Sequence, residues 1–268
     1  MPGATLADLV ADRTVDAELA ALLWLLAEGR VPLIVTGEAS LEERTRLAEA
    51  VLSADPSGAW VLLDAESEPP TPARLAAHLQ GGVGLSVTLA ATDLRDLIER
   101  LQAPPHGLPE DAVRRLGIVL VASSTERGLR LAAVHYLRPT ERDAEGHIQR
   151  RPPAVLATWD ADADGYEHFA WAITPELADR VDRSQADLEE RQRSRATFLA
   201  QASSERSMAE AGADGPTPEA GGDRPTREAW LARVAEHLEA EPPRVPAPEH
   251  ERARSSPFHG GLTDPPVH

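Results

Sequence analysis

The segment 31–63 restricts the fold of this chain more than any other. An apolar run, Val31–Val35, is followed by Gly37, by an amphipathic helical pattern over Leu41–Leu52 and by a second apolar run, Trp60–Leu63. Two buried strands joined by one helix predict a parallel βαβ unit, because parallel strands need a long crossover connection.

The sequence up to residue 175 continues this pattern. A short helix is predicted over Ala73–Leu79, a third strand over Leu85–Leu89, a helix capped by Thr92 or Asp93 and running to Leu101, and a short helix over Pro109–Arg115. Alternating apolar runs predict two hairpins, Ile118–Ala122 with Leu129–Tyr136 and Val155–Trp159 with Tyr166–Trp171. We therefore predict an α/β fold with a mostly parallel sheet, helices on its faces and hairpins late in the chain.

The connection after Gly37 has the position of a phosphate-binding loop and lacks its chemistry. A working loop of this type places Gly-Lys-Ser/Thr shortly after its first glycine. The corresponding positions here hold Glu42, Glu43 and Arg44, and the whole chain contains no lysine. Each carboxylate next to a phosphate oxygen would cost about 4 kcal/mol at a surface-like dielectric, so the sequence predicts weak or no nucleotide binding.

The same residues suit an ordinary helix start. Ser40 is a good N-cap, and Glu43 three residues later completes a capping box. The candidate cofactor-binding residues are those of this degenerate loop: Gly37, Ser40, Glu43, Arg44 and Thr45. An alternative stays open, in which a nucleotide is bound through arginine and hydroxyl groups of the loop; ATP and Mg²⁺ would be cofactors only in that case.

Composition excludes several classes of partner and site. The formal charge of -17 argues against direct binding to nucleic acid or to an anionic membrane. Cysteine is absent, which excludes disulfides and thiolate metal sites. No apolar run has the length of a membrane span, and the N-terminus lacks the pattern of a signal peptide, so a cytoplasmic protein without a membrane span is expected.

Other local signals have simpler interpretations than a site. Asp64 and Glu66 follow a predicted strand, where Mg²⁺ can bind, but a solvated strand end is favoured. The run Asp160–Gly165 copies the opening of a calcium loop, and a hairpin turn is favoured. A turn is also preferred for Ser123-Ser124. Histidines 135, 147 and 168 are interpreted as packing or surface residues, and Trp159, Phe169 and Trp171 as hairpin core. No catalytic residue and no metal ligand is assigned.

After residue 175 the chain changes character. The predicted organisation is one α/β domain over residues 1–175, a charged helical extension over 176–208 and a flexible acidic, Pro-rich tail over 209–268. Within the tail, an amphipathic helix is predicted over 227–240, and its apolar residues are a candidate contact surface for a protein partner. They are Trp230, Leu231, Val234 and Leu238.

Several segments, taken in order, resemble the motor domain of type II/IV secretion ATPases, most closely the archaeal-type and Tad-type members. The matching segments are 22–56 (helix, strand, phosphate loop, helix), 60–68 (acidic box), 76–121 (histidine-box strand and helix, then the next strand), 133–139, 155–170 and 184–201. This resemblance implies a P-loop NTPase-like (RecA-like) fold, and ring-shaped homo-oligomers are typical of the family.

The departures from that family are systematic. The loop lysine is replaced by Glu43, the histidine of the histidine box by Ala90, and the strand that carries the Walker B carboxylate is missing. The resemblance therefore implies a degenerate, non-hydrolysing pseudo-ATPase that acts as an assembly or regulatory subunit. Its expected partners are a secretion or pilus motor ATPase or a platform protein. The alternative is an active or nucleotide-binding ATPase that uses Arg44 and Thr45.

Overall fold

The apolar runs of the first half of the chain become four parallel strands. The structure is a computed structural model that describes residues 4–55, 60–80, 84–142, 147–213 and 227–246. The parallel strands are β1 (Leu33–Gly37), β2 (Trp60–Asp64), β3 (Gly84–Thr88) and β4 (Ile118–Thr125), which lie side by side in the order β2-β3-β1-β4. The predicted βαβ unit is confirmed.

An antiparallel half completes the sheet. Strands β5 (Gly128–Tyr136), β8 (Ala154–Asp160) and β9 (Gly165–His168) follow β4 by antiparallel pairing, which makes seven strands in all. Strands β6 (Glu141–Arg142) and β7 (Ile148–Gln149) form a separate small hairpin. Both predicted hairpins, β4–β5 and β8–β9, are confirmed, and the protein has a mixed α/β fold whose sheet is parallel at its core.

Helices cover both faces of the parallel half. On one face lie α1 (Leu6–Ala11), α2 (Ala17–Glu28), α3 (Leu41–Leu52), α7 (Thr174–Arg180), α8 (Gln185–Ala213) and α9 (Arg227–Ala240). On the other lie α4 (Pro72–Gln80), α5 (Leu94–Gln102) and α6 (Glu110–Arg114). Because β-strand side chains alternate between the faces, Leu33 and Val35 of β1 enter the first core and Ile34 the second.

Helices α2 and α3 show how local sequence sets the ends of these elements. Asp16 caps α2 by accepting a hydrogen bond from the N–H of Leu19 at 2.8 Å. Ser40 and Glu43 form the predicted capping box at the start of α3, whose bounds are those predicted from the sequence. Helix α9 also has its predicted bounds, and it is docked on the core, since Trp230 is 3% exposed.

Several predictions of burial, turn position and length are wrong. Ser123 and Ser124 do not form the predicted turn, because they pair with β5 inside strand β4, which continues to Thr125. Strand β2 is only partly buried, because it lies at the edge of the sheet: Leu62 is 41% exposed, whereas Leu63 belongs to the core.

Strand β9 ends at His168, so neither Phe169 nor Trp171 forms hairpin core: Phe169 is 37% exposed, and Trp171 falls in a 3₁₀ helix (Ala170–Ile173) and is 75% exposed. Helix α8 continues to Ala213, although the sequence predicts a linker from residue 209.

Some predictions fall on residues outside the described ranges. They are the turn at 56–58, the glycine turn at 81–83, most of the linker (214–226) and the tail from 247 onward. Within the described ranges, every helix is too short or too polar to cross a lipid bilayer.

Candidate functional site

The candidate phosphate-binding site lies where the parallel strands end. Strands β1, β2 and β3 are in parallel register, so Gly37, Asp64 and Thr88 come to the same edge of the sheet, and α3 starts just beyond this edge. Ligands of α/β proteins usually bind at this carboxyl edge. The predicted loop residues therefore lie at the edge of the sheet where phosphate-binding α/β proteins hold their ligand.

Gly37 is required by the sheet itself. Its φ is +113°, and a Cβ at this position would lie 1.9 Å from the carbonyl oxygen of Ala122 in β4. Gly37 is paired with Ala122 in register and also forms an isolated bridge with Ala91. The close approach of three backbone segments explains this glycine without a phosphate.

The connection from β1 to α3 is too short to wrap around a phosphate. Helix α3 begins at Leu41, with Ser40 as its N-cap, so only Glu38 and Ala39 separate Gly37 from the cap. The motif of a working loop needs four residues between its two glycines. Glu42, Glu43 and Arg44, which match the Gly-Lys-Ser/Thr positions, lie within the first turn of the helix.

The carboxylate of Glu43 occupies the N-terminus of α3. It accepts hydrogen bonds from the N–H and the hydroxyl of Ser40, both at 2.8 Å, and from the hydroxyl of Ser124 in β4 at 2.9 Å. The bond from the Ser40 N–H, followed by that from its hydroxyl, lowers the pKa of Glu43 from its ordinary value. Glu43 is therefore anionic at neutral pH, and its charge lies at the start of α3, where it would repel an incoming anion.

The guanidinium of Arg44 is held beneath the loop. Its side chain is 4% exposed, Nη1 donates to the carbonyl oxygen of Ala39 at 2.5 Å, and Nη2 donates to Oε1 of Glu66 at 3.1 Å. Oε1 of Glu66 also accepts the N–H of Ala90 at 2.9 Å. Arg44 thus links the β1–α3 loop to the segments that follow β2 and β3, instead of pointing at a ligand.

The acidic groups after β2 are engaged by their own turn. Asp64 accepts hydrogen bonds from the hydroxyl of Ser67 and from the N–H of Glu66, and the Ser67 bond is the main cause that lowers the pKa of Asp64. Within the described ranges, no set of three or more His, Cys, Asp or Glu groups is placed to hold a metal ion. The favoured interpretation of a solvated strand end agrees with these bonds.

The residues present do not fit a nucleoside triphosphate with Mg²⁺. Thr45 lies in the second turn of α3, beyond the N–H groups of the first turn. Glu38 and Glu42 are exposed on either side of Ser40, and the Glu43 carboxylate is hydrogen-bonded to Ser40 itself. A polyanion would meet three carboxylates there, and the neighbouring cation, Arg44, is already paired with Glu66.

The acidic hairpin between β8 and β9 forms a turn, as predicted, and its last acid, Asp164, pairs with Arg130. Asp160 accepts the N–H groups of Asp162 and Ala163, as in an ordinary Asx turn. Asp164 accepts Nε of Arg130 at 3.2 Å, and this bond lowers the pKa of Asp164. A calcium loop would need these carboxylates to converge on one point, which they do not.

Sequence reasoning missed the two contacts that define the site. It named Glu43 and Arg44 but not their distant partners, Ser124 and Glu66. One signal was available: Arg44 lies three residues before Leu47 on the apolar side of α3, which places its guanidinium toward the protein interior.

Comparison with known proteins gives no relative from which a function can be transferred. No protein-family model matches the sequence, and no curated protein matches it significantly. The function must therefore be argued from the residues and their geometry.

Proposed function

We propose that this protein is a non-hydrolysing relative of the type II/IV secretion ATPases that acts through protein contacts, as an assembly or regulatory subunit. The observation that carries the proposal is the Glu43 carboxylate, bound by Ser40 and Ser124 at the N-terminus of α3. A negative charge built into the protein takes the position of the phosphate, so the strand–turn–helix arrangement is kept without a bound nucleotide.

The relation to that family rests on the order of segments and is supported by the arrangement of the sheet. The strand with the degenerate loop, β1, lies between β3 and β4, and β2, which carries the acidic box, lies at the edge. One helix, α4, connects β2 to β3 within the described residues, where the family has an additional strand. These features fit a P-loop NTPase-like sheet that lacks its Walker B strand.

A nucleotide-binding function through Arg44 and Thr45 has weaker support. Arg44 would have to break its bonds to Ala39 and Glu66 and leave a nearly buried position. Glu66 would then lose the cation that neutralises it, next to the incoming phosphates. The expected partners are therefore proteins, namely a secretion or pilus motor ATPase or a platform protein.

Calorimetry with ATP and Mg²⁺ tests the exclusion of nucleotide. We expect no binding heat up to millimolar ATP and no turnover above that of a heat-inactivated sample. Arg44→Ala serves as the matched variant, because it removes the cation on which the alternative depends. Micromolar ATP binding by the wild type that disappears in Arg44→Ala would refute the proposal and establish the alternative.

The partner is tested separately, by titrating the purified protein with the motor ATPase or the platform protein of the same genome. We expect saturable binding, and we expect that ATP has no effect on it through this protein. Failure of both proteins to bind, together with absence of nucleotide binding, would refute the role in secretion and leave the exclusion of nucleotide intact.

A further inference from the structure

A cavity of about 310 Å³ opens beside α5 and α6, where the second helical layer ends. Helices α4, α5 and α6 pack on the parallel strands, and α6 is only five residues long. Among the described residues, the core beneath these helices has no member beyond Leu137, so strand β8 contributes nothing to it. The helical layer therefore stops before the antiparallel half of the sheet, and the cavity lies at this step.

The walls of the cavity are apolar and are held by the fold. Ile98 lies on α5, Val113 on α6, Leu137 directly after β5 and Pro153 directly before β8. Pairing of the last residue of β5 with the first of β8 places Leu137 across from Pro153. Val113 and Leu137 are both only 2% exposed, so these walls are part of the core. A concave site of this size with mostly apolar walls is typical of small-molecule pockets.

The remaining lining side chains are polar: Gln102, Glu110 and Arg114. Nε of Arg114 donates to Oε1 of Glu110 at 2.9 Å, and Nη1 donates to the carbonyl oxygens of Arg151 at 2.8 Å and Arg138 at 3.4 Å. These bonds fix the plane of the guanidinium. Nη2 donates no hydrogen bond within the described residues and is not fully buried, so Arg114 has a donor left for a ligand.

Positive charge is in excess around this cavity. In the described ion pairs of the region, four guanidinium groups share three carboxylates. They are Arg114 and Arg150 on Glu110, Arg138 and Arg151 on Glu176, and Arg151 again on Glu141. The adjacent Asp111 and Arg115 add one charge of each sign. A local excess of one positive charge, on a chain whose net charge is -17, favours an anionic ligand at this place.

We propose that this cavity, the α5–α6 pocket, binds a small organic carboxylate with an apolar body. The apolar body contacts Ile98, Val113 and Leu137, and the carboxylate accepts hydrogen bonds from Nη2 of Arg114 and from the amide of Gln102. Charge-assisted bonds to arginine are among the stronger hydrogen bonds, and a guanidinium already held by backbone carbonyls loses little freedom on binding. One edge of Arg114 is already taken by Glu110, which suits a single carboxylate rather than a polyanion.

The α5–α6 pocket goes beyond the proposed function and is independent of it. It adjoins the core beneath α4, α5 and α6, whereas the residues of α3 belong to the core on the opposite face of the sheet. The exclusion of nucleotide at α3 and the binding of a carboxylate in the pocket can therefore be measured separately.

Titration of the full chain with 2-naphthoate, which joins an apolar ring system to one carboxylate, tests the proposal. The signals to follow by heteronuclear NMR are the methyl groups of Ile98, Val113 and Leu137. We expect them to shift saturably with a Kd on the order of 0.1–1 mM, as for a good ligand of this size. The neutral 2-naphthamide should bind at least about tenfold more weakly, because it cannot form the charge-assisted bond to Arg114.

Two variants separate a carboxylate site from general adhesion to an apolar surface. Arg114→Gln should weaken the binding of 2-naphthoate at least about tenfold and change that of 2-naphthamide less than about twofold, because only the charged ligand depends on the guanidinium. Arg95→Gln is the matched control: it removes the same charge from α5, its side chain is 88% exposed, and it does not line the cavity. It should change the affinity for 2-naphthoate less than about twofold, since exposed charges at a distance are screened.

Gln102→Glu covers the case in which Arg114→Gln fails to fold, because Gln102 is exposed. The added carboxylate should weaken the binding of 2-naphthoate at least about fivefold by repulsion and leave that of 2-naphthamide unchanged. Methyl shifts that do not saturate up to about 5 mM ligand, far above the expected Kd, would overturn the proposal. Equal affinities for 2-naphthoate and 2-naphthamide, or unchanged binding of 2-naphthoate by folded Gln102→Glu, would overturn it as well. Each of these results leaves the proposed function untouched.

Discussion

Replacing Glu43 tests whether its carboxylate stabilises the N-terminus of α3. In Glu43→Ala, the Ser40 N–H and the hydroxyls of Ser40 and Ser124 lose their acceptor. A lost capping interaction costs about 1 kcal/mol, and the bond from β4 is worth about 1 kcal/mol more in this partly exposed position. We therefore expect Glu43→Ala to lower the free energy of unfolding by about 2 kcal/mol, and Glu43→Gln by about 1 kcal/mol.

Glu42→Gln is the matched control, because Glu42 lies in the same first turn and is exposed. It loses only its interaction with the helix dipole, worth about 0.5 kcal/mol or less. For a protein of this size, the loss in Glu43→Ala corresponds to a fall in Tm of about 4–8 °C. Thermal and urea unfolding monitored by circular dichroism measure both quantities.

The pH dependence gives a second readout with a defined sign. The pKa of Glu43 is lowered in the folded protein, so its charge stabilises the fold above the ordinary value of 4.5, and this stabilisation is lost as the pH falls through the folded pKa. The difference between wild type and Glu43→Gln should therefore be present at pH 7 and shrink below pH 4.5. Equal stability of the two proteins at pH 7, or a difference that persists unchanged at pH 3, would refute the role assigned to Glu43.

Three further perturbations test the fold around the site. Gly37→Ala should lower the free energy of unfolding, measured in urea, by about 3 kcal/mol or more, because it adds steric overlap with Ala122 to the strain of a positive φ. Gly107→Ala is the control: its φ is +59° and the space around it is open, so the loss should be only about 1 kcal/mol. The hydrogen bond from His168 to Asp16 raises the pKa of His168. The stabilisation from protonated His168 is therefore complete below pH 6.5 and is lost as the pH rises through the raised pKa. His168→Gln should flatten this part of the curve of unfolding free energy against pH, and an unchanged curve would contradict the role of the His168–Asp16 bond. Trp171→Ala should change the free energy of unfolding by less than about 0.5 kcal/mol in thermal melts, because the side chain is 75% exposed, and a larger loss would show that it packs in solution.

Local sequence was sufficient for the elements that carry their own signals. The capping box of Ser40 and Glu43 fixes where α3 begins, and alternation of apolar residues locates the hairpins. Helix α9 is readable from Trp230 and Val234 in the same way, because its apolar residues repeat at helical spacing. Each of these signals depends on residues a few positions apart.

Position within the sheet was not readable in this way. The run that forms β2 is as apolar as a central strand, yet strand order puts it at the edge and exposes Leu62. Trp171 reads as hairpin core, but β9 ends three residues earlier and the chain turns away. The hydrophobicity of a segment indicates that it forms a strand, but it does not tell how many strands pair with it in the sheet.

The sequence by itself determined the α/β class, the start of α3 and the absence of a lysine for phosphate. Only the tertiary structure decided what the remaining charges do: Glu43 reaches Ser124, Arg44 reaches Glu66, and Glu241 neutralises Arg195. These partners are far apart in the chain, and their distances are set by which strands and helices become neighbours. A charge a few ångströms from its counterion is worth several times more when both are shielded from water, so the packing of the chain fixes the electrostatics of the site.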